Sequence, residues 1–351
     1  MNMNSGGYTG RAAAQVIEGR IRVGFGPVTT ANSFQQSGVK VASELGRDAR
    51  FECGVFSEPF TYESLSRFDV LVFIKIIPGF GLLKRLKEEG KRLLLDYQDM
   101  FLFPSAHELA LIKKLLKMLY YFQLESREKK RLRLFDRCLV ASPVAESAVK
   151  NAGMTPFFLD RQIYNDWNRA NFKTHNTKTS GLTIMWTGVW LNTPENGPVL
   201  GVLERLCKIH SCRVVYLTQP QGPCEGFIEY RRWTLETWER DLLDADITFR
   251  WWQDSNTQYL KDSNKVISYM AAGLPVVCRP TDSDRLVIED GRTGFFAETE
   301  EAFGAAVERL ILEPQLRRSA GESGHAAVWS RYSLEFHVEK LKGLILALAG
   351  R

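Results

Sequence analysis

The chain has 351 residues, of which 44% are hydrophobic and 25% charged, an ordinary globular composition with a formal net charge of +5. That length exceeds one compact core and suits two domains of roughly 150 to 180 residues each. The basicity is local, since residues 113–137 hold nine cationic against three acidic side chains while the remainder is close to neutral, which excludes a uniformly basic protein.

In chain order, residues 1–18 are polar and are expected to be disordered. They lack the apolar core of a signal peptide, and no segment reaches the roughly 18 uninterrupted apolar residues of a membrane span. "IRVGF" (21–25) then predicts a first strand, followed by a loop and a helix through Gly38 to Leu45. Further strands are expected at 51–56, 69–75, 92–96 and 137–141, with helices near 79–90, 105–134 and 143–151. Short apolar runs between helices predict a parallel sheet covered on both faces, a Rossmann-like unit over 19–168. The polar stretch 164–181 breaks the alternation as a linker, and a second such unit over 169–333 resumes it. Its strands are expected at 182–188, 213–218, 226–230 and 245–251, with helices near 196–210 and 234–243. The terminal segment 334–351 is expected as a helix packing back toward the first unit. The fold class is thus α/β, with two Rossmann-like domains facing across a cleft, where open sheets of this kind hold ligands.

Six cysteines without CxxC spacing point to buried, reduced thiols, and five histidines show no metal-ligand spacing, so no metal and no disulfide framework is expected. The stretch "KDSNKVISYMAAGLPVVCRP" (261–280) is more informative. Val266, Tyr269 and Met270 follow helical spacing, Gly273 is placed to end the helix, and Leu274 to Cys278 form a short buried strand. A helix that starts near a sheet edge with two lysines beside its first turn offers a site for an anion such as phosphate; an ordinary capped helix with a solvated end is the alternative.

"NKVISYMAAGLPVVC" (264–278) followed by "VIEDGRTGFFAETEEAFGAAVERLILEPQLRRSAGESGHAAVWSRYSLE" (287–335) resembles the C-terminal domain of group 1, family 4-like GT-B glycosyltransferases. "LFDRCLVASPVAESAVKNAG" (134–153) resembles more loosely the family's segment near the domain boundary. The resemblance implies transfer of a sugar from a nucleotide-activated donor, bound mainly by the C-terminal domain, to a glycan or lipid-linked acceptor held mainly by the N-terminal domain. It also implies retention of anomeric configuration, no metal and no cofactor, the nucleotide sugar being a substrate. Accepting negative charge on the departing phosphate is then the main task, and cations with a helix N-terminus suit it. Two family glutamates are replaced by Leu260 and Ser268, the family's arginine and lysine after the first C-terminal strand are absent from "WTGVWLNTPENG" (186–197), and a frequent His-Asp pair reads Gln98-Asp99.

Lys265 and Asp99 are the candidate catalytic residues, Lys265 for the phosphate and Asp99 to orient the acceptor or act as base, a role for which Asp96 competes. Thr187, Gly188, Tyr230, Arg250, Lys261, Ser263, Asn264, Lys265, Arg279 and Ser283 are the candidate donor-binding residues. Tyr230 is offered, with Trp233, to stack on a base, and Arg250 with the lysines to take phosphate charge. The basic segment 111–137 carries an apolar stripe, Ile112, Leu115, Leu116 and Leu119. It is expected either to lie on an anionic membrane face or to be a core helix with a solvated basic side; no recognition motif for nucleic acid accompanies it. The expectation is a cytoplasmic enzyme at the inner face of the plasma membrane, building a cell-envelope polysaccharide or glycolipid. A catalytically silent relative acting as a nucleotide- or glycan-binding scaffold or partner subunit, and a nucleotide-sugar epimerase of the same architecture, are the alternatives.

Overall fold

A computed structural model describes residues 19–29, 34–98, 129–163, 167, 169–234, 236–252 and 262–350. The expected disorder of 1–18, most of the basic segment, Leu260, and the candidates Asp99 and Lys261 lie outside the described residues.

Two six-stranded parallel sheets organise the chain, as its apolar runs predict. The first has the order β2-β1-β3-β4-β5-β6, from β1 (Ile21–Gly26), β2 (Phe51–Val55), β3 (Val70–Ile74), β4 (Arg92–Asp96), β5 (Arg137–Val140) and β6 (Pro156–Phe158). The second has the order β12-β11-β10-β7-β8-β9, from β7 (Thr183–Thr187), β8 (Arg213–Leu217), β9 (Ile228–Arg231), β10 (Ile247–Arg250), β11 (Val276–Cys278) and β12 (Phe295–Phe296). All five residues of β3 are buried, because a central parallel strand is covered on both faces and cannot alternate with water. β6 and β12, both at sheet edges, are not anticipated by the sequence reading; at three and two residues they are too short to leave a periodic signal.

Helices fill both faces of each sheet. In the first lobe these are α1 (Val41–Leu45, continuing a π-helical turn Gln35–Lys40), α2 (Tyr62–Ser66), α3 (Phe80–Glu88) and α4 (Pro143–Asn151). In the second they are α5 (Gly197–His210), α6 (Trp238–Leu243), α7 (Asn264–Ala271), α8 (Asp282–Val287), α9 (Glu300–Leu312) and α10 (Pro314–Arg331). The last helix, α11 (Leu334–Leu348), returns to the first lobe. Its Val338, Leu341, Leu344 and Ile345 join Val41, Leu45, Val23 and Val70 in one core cluster. The chain therefore passes between the lobes twice, and the two passages meet where the Ile163 amide donates to the Tyr332 carbonyl at 2.6 Å.

α7 crosses the second lobe with six of its eight residues buried. Gly273 ends it, as expected, in the left-handed region (φ +72°), and the Leu274 amide closes the turn on the Tyr269 carbonyl at 3.0 Å. α10 packs across it at Gly321, where any side chain would run into the Gly273 carbonyl and the His175 ring. Among the described residues no helix is long and apolar enough to cross a membrane.

Candidate functional site

The carboxyl ends of β7, β8 and β9 and the first turn of α7 enclose a cavity of about 510 Å³. Thr187 and Gly188 follow from β7, Gln219 and Gln221 from β8, and Trp233 from β9, while Trp190 and Trp238 complete an aromatic wall and Asn264, Lys265 and Ser268 supply the helix side. Flat apolar walls with a few carboxamides and one ammonium suit a ligand with a planar ring at one end and negative charge at the other.

The charged end is built tightly. Lys265 Nζ stands 4.6 Å above the ring of Trp186, itself 1% exposed, so the ammonium rests on an aromatic face rather than in bulk water. A Cβ on Gly188 would lie 2.6 Å from the Trp186 ring and 2.7 Å from Lys265 Nζ, so only glycine leaves the lysine in place. The end of β7 is fixed to α7 by Tyr269, whose hydroxyl accepts from the Thr187 amide at 3.0 Å and shares a hydrogen bond with Thr187 Oγ1 at 3.1 Å. Burial raises the pKa of that phenol and so keeps it neutral.

α7 begins without a side-chain cap. Ser263, at the N-cap position, instead donates to Asp284 Oδ1 at 2.8 Å. Asp284 is fully buried, and its other oxygen takes the Thr281 amide and hydroxyl, each at 2.8 Å, together with the guanidinium of Arg250. The ordinary capped helix is therefore not what the polar entrance encodes. Ser268 turns back along the helix, its hydroxyl donating to the Asn264 carbonyl at 2.8 Å.

Of the predicted donor-binding residues, Thr187, Gly188, Asn264 and Lys265 come together on the cavity. Five others, contrary to expectation, do not line it. Arg250 faces inward from the last position of β10 and is held by Asp284, so its charge is already neutralised. Ser263 is consumed in the same network. Tyr230 packs beneath Trp190 at 5.8 Å and against Tyr216, with its hydroxyl accepting from the Glu225 amide, so it supports the aromatic wall from behind. Ser283 is 3% exposed and faces a small void beside Arg161, away from the cavity. Arg279 is not part of the lining either; its guanidinium stacks on Trp252 at 4.7 Å and donates to the Trp252 carbonyl. Asp96, the competitor of Asp99, is buried in an ion pair with Arg161 at 2.7 Å and is no free base. Trp233 does line the cavity, and Trp190, Trp238, Gln219 and Gln221 were missed by the sequence reading. Their only signal is that Trp190, Gln219 and Gln221 follow closely on a predicted strand, while Trp238 lies inside a predicted helix and gives none.

Comparison with known proteins agrees with this assignment of fold. Residues 240–343 match the family model described as "Glycosyl transferase-like". No curated protein matches the chain. Among solved structures, sucrose-phosphate synthase from Thermosynechococcus elongatus superposes with a TM-score of 0.65 at 12% identity, covering 94% of this chain and 100% of that one. A glycosyltransferase from Rickettsia africae gives 0.67 at 11% identity, covering 95% and 99%. HepE from Anabaena, solved in complex with UDP-glucose, gives 0.64 at 10% identity, covering 93% and 99%. The expected GT-B architecture is thus the fold of this chain, and its C-terminal part carries the glycosyltransferase-like sequence pattern.

Proposed function

We propose that this chain is a glycosyltransferase that binds a nucleotide sugar in the tryptophan-lined cavity and moves the sugar to a glycan or lipid-linked acceptor. The observation that carries the reading is Lys265, held at the N-terminal end of α7 over Trp186 and against Gly188 at the cavity wall. In this reading the base lies among Trp190, Trp233 and Trp238, and the diphosphate reaches the first turn of α7. As the bond to the sugar breaks, negative charge builds on the leaving phosphate, and a cation already in position stabilises it without reorganising solvent.

The finer parts of the proposal come from the family resemblance. They are a retaining reaction in which the leaving phosphate helps deprotonate the acceptor, and no metal or cofactor beyond the nucleotide sugar; Asp99, orienting the acceptor or acting as base, is proposed from its place after a strand. Synthesis of a cell-envelope polysaccharide or glycolipid at the cytoplasmic membrane face is proposed on the same ground, and peripheral contact to anionic lipid on the basic segment 111–137. The UDP-glucose bound by the Anabaena protein makes UDP sugars the first donors to try. The test is incubation with UDP, GDP, ADP and CMP sugars, with and without acceptors, following binding and nucleotide release; a chain that binds and turns over none of them is not this enzyme.

One observation favours a second reading, a silent relative that binds nucleotide or glycan as a scaffold. Ser268 stands where family members carry an acid, and its hydroxyl is bonded to its own helix. Tight nucleotide binding without turnover, or turnover only beside a second protein, would select it.

A further inference from the structure

We infer that Arg161 is a positioning residue that fixes the phosphate-facing end of α7 from the opposite lobe, an inference that rests on the donor reading of the cavity. Arg161 follows β6 in the first lobe and its side chain is 4% exposed. Its Nη1 donates to Asp96 Oδ1 at 2.7 Å, at the end of β4, and its Nε donates to Asp262 Oδ2 at 2.6 Å, two residues before α7 begins. Both carboxylates are 7% exposed, so each is an ion removed from water and held by the same guanidinium. Burial works against that charge, and Asp262 and Asp96 together outweigh it and keep the guanidinium cationic.

The consequence lies in where the next bonds go. Asp262 is tied to the first lobe through Arg161, whereas its neighbour Ser263 is tied to the second lobe through Asp284. Two successive residues at the start of α7 are therefore anchored in opposite directions, and Asn264 and Lys265 follow immediately on the cavity. Asp96 is itself steadied by Gln98 Nε2 at 2.6 Å, and Gln98 also donates to Ser37, at the start of the first lobe's helical layer. A planar fork that holds two carboxylates at fixed angles transmits position as well as charge, which a single-point ammonium does not. Movement of the first lobe then shifts the end of the helix that meets the diphosphate, while the tryptophan wall, built on β7 to β9 and α6, stays where it is.

The experiment is calorimetric titration of the full chain with UDP, GDP, ADP, CDP and TDP and with the nucleoside corresponding to whichever binds best. Asp262→Asn keeps the shape and leaves Arg161 its bond to Asp96; Arg161→Lys keeps the charge and removes the fork. In each variant the affinity for the nucleoside diphosphate should fall about tenfold, within the range of site-to-site coupling, while the nucleoside binds within about twofold of wild type. Equal losses for nucleoside and diphosphate would mean a merely structural residue and overturn the inference, as would unchanged diphosphate affinity in either folded variant. Failure of Asp262→Asn to fold leaves Arg161→Lys to decide by the same ratio. A wild-type chain that binds none of the diphosphates overturns the donor reading, and this inference with it.

Discussion

The two ends of α7 differ in how the protein treats them. At the C-terminal end every carbonyl past the last full turn is taken by a neighbouring element: Ala271 by His325 Nδ1 at 2.8 Å, Ala272 by the Lys173 amide at 2.8 Å and Gly273 by His175 Nε2 at 2.8 Å. At the N-terminal end the serine that would cap the helix is drawn off to Asp284, and Lys265 and Asn264 face the cavity. One end is closed by protein groups and serves the fold. The other is held from its flanks and turned toward the cavity.

Lys265→Ala should separate the ends most sharply. Turnover of the donor should drop about 100-fold, or about 2.7 kcal/mol, with the urea midpoint shifted by no more than about 0.5 kcal/mol; unchanged turnover would show that the open end is not where charge develops. His325→Ala should do the reverse. It removes the shorter of two hydrogen bonds to the Ala271 carbonyl, which keeps Trp329 Nε1 at 3.4 Å, and a ring packed 4.9 Å from Phe172, costing about 0.5–1.5 kcal/mol in urea denaturation while diphosphate affinity stays within about twofold.

Acid should act on the closed end as well. Burial pushes the His325 and His175 pKa values below the usual 6.5, opposed in each by the bond to a backbone carbonyl, and Lys173 and Arg317 beside His175 and Arg169 beside His325 push the same way as burial. The unfolded chain therefore binds more protons than the native one as pH drops, so the contribution is whole above about 6.5 and is lost below it. Urea midpoints should decline from pH 7.5 to 5.5, with a shallower slope in His325→Phe and an unaltered slope in Lys265→Ala. The smallest effect expected is from Ser268→Ala, which removes a hydroxyl bonded only to its own helix; stability should change by less than about 0.5 kcal/mol, measured the same way. A large loss of donor binding there would show that Ser268 leaves the helix to meet the ligand.

The fold was legible because its signal is carried by whole runs of residues. "VLVFI" within "DVLVFIK" and "LLLD" within "RLLLD" are buried on both faces in a parallel sheet, and nothing distant is needed to see it. The meeting of Thr187, Gly188, Asn264 and Lys265 on one cavity was legible because strand end and helix start lie side by side in this architecture. Arg250 was misjudged for a physical reason: its partner Asp284 lies 34 residues away, and the last residue of a strand can face either the ligand or the interior. Tyr230 and Ser283 failed likewise, since position near a strand end does not say which way a side chain turns. Trp190, Trp238 and the two glutamines come from separate segments and meet only in three dimensions.

The bond between Ile163 and Tyr332 has a mechanical meaning. Two bodies joined by a single strap can swing in any direction, whereas two straps bonded to each other restrict the swing. Here Asp160 adds to that bond by accepting from Lys340 at 2.7 Å, Arg331 at 3.4 Å and, at its carbonyl, His337 Nδ1 at 2.8 Å. The last helix, seated on the first lobe after the chain has traversed the second, is the second strap. The lobes are thereby fastened to each other at both crossings, with Arg161 two residues from the Ile163 bond.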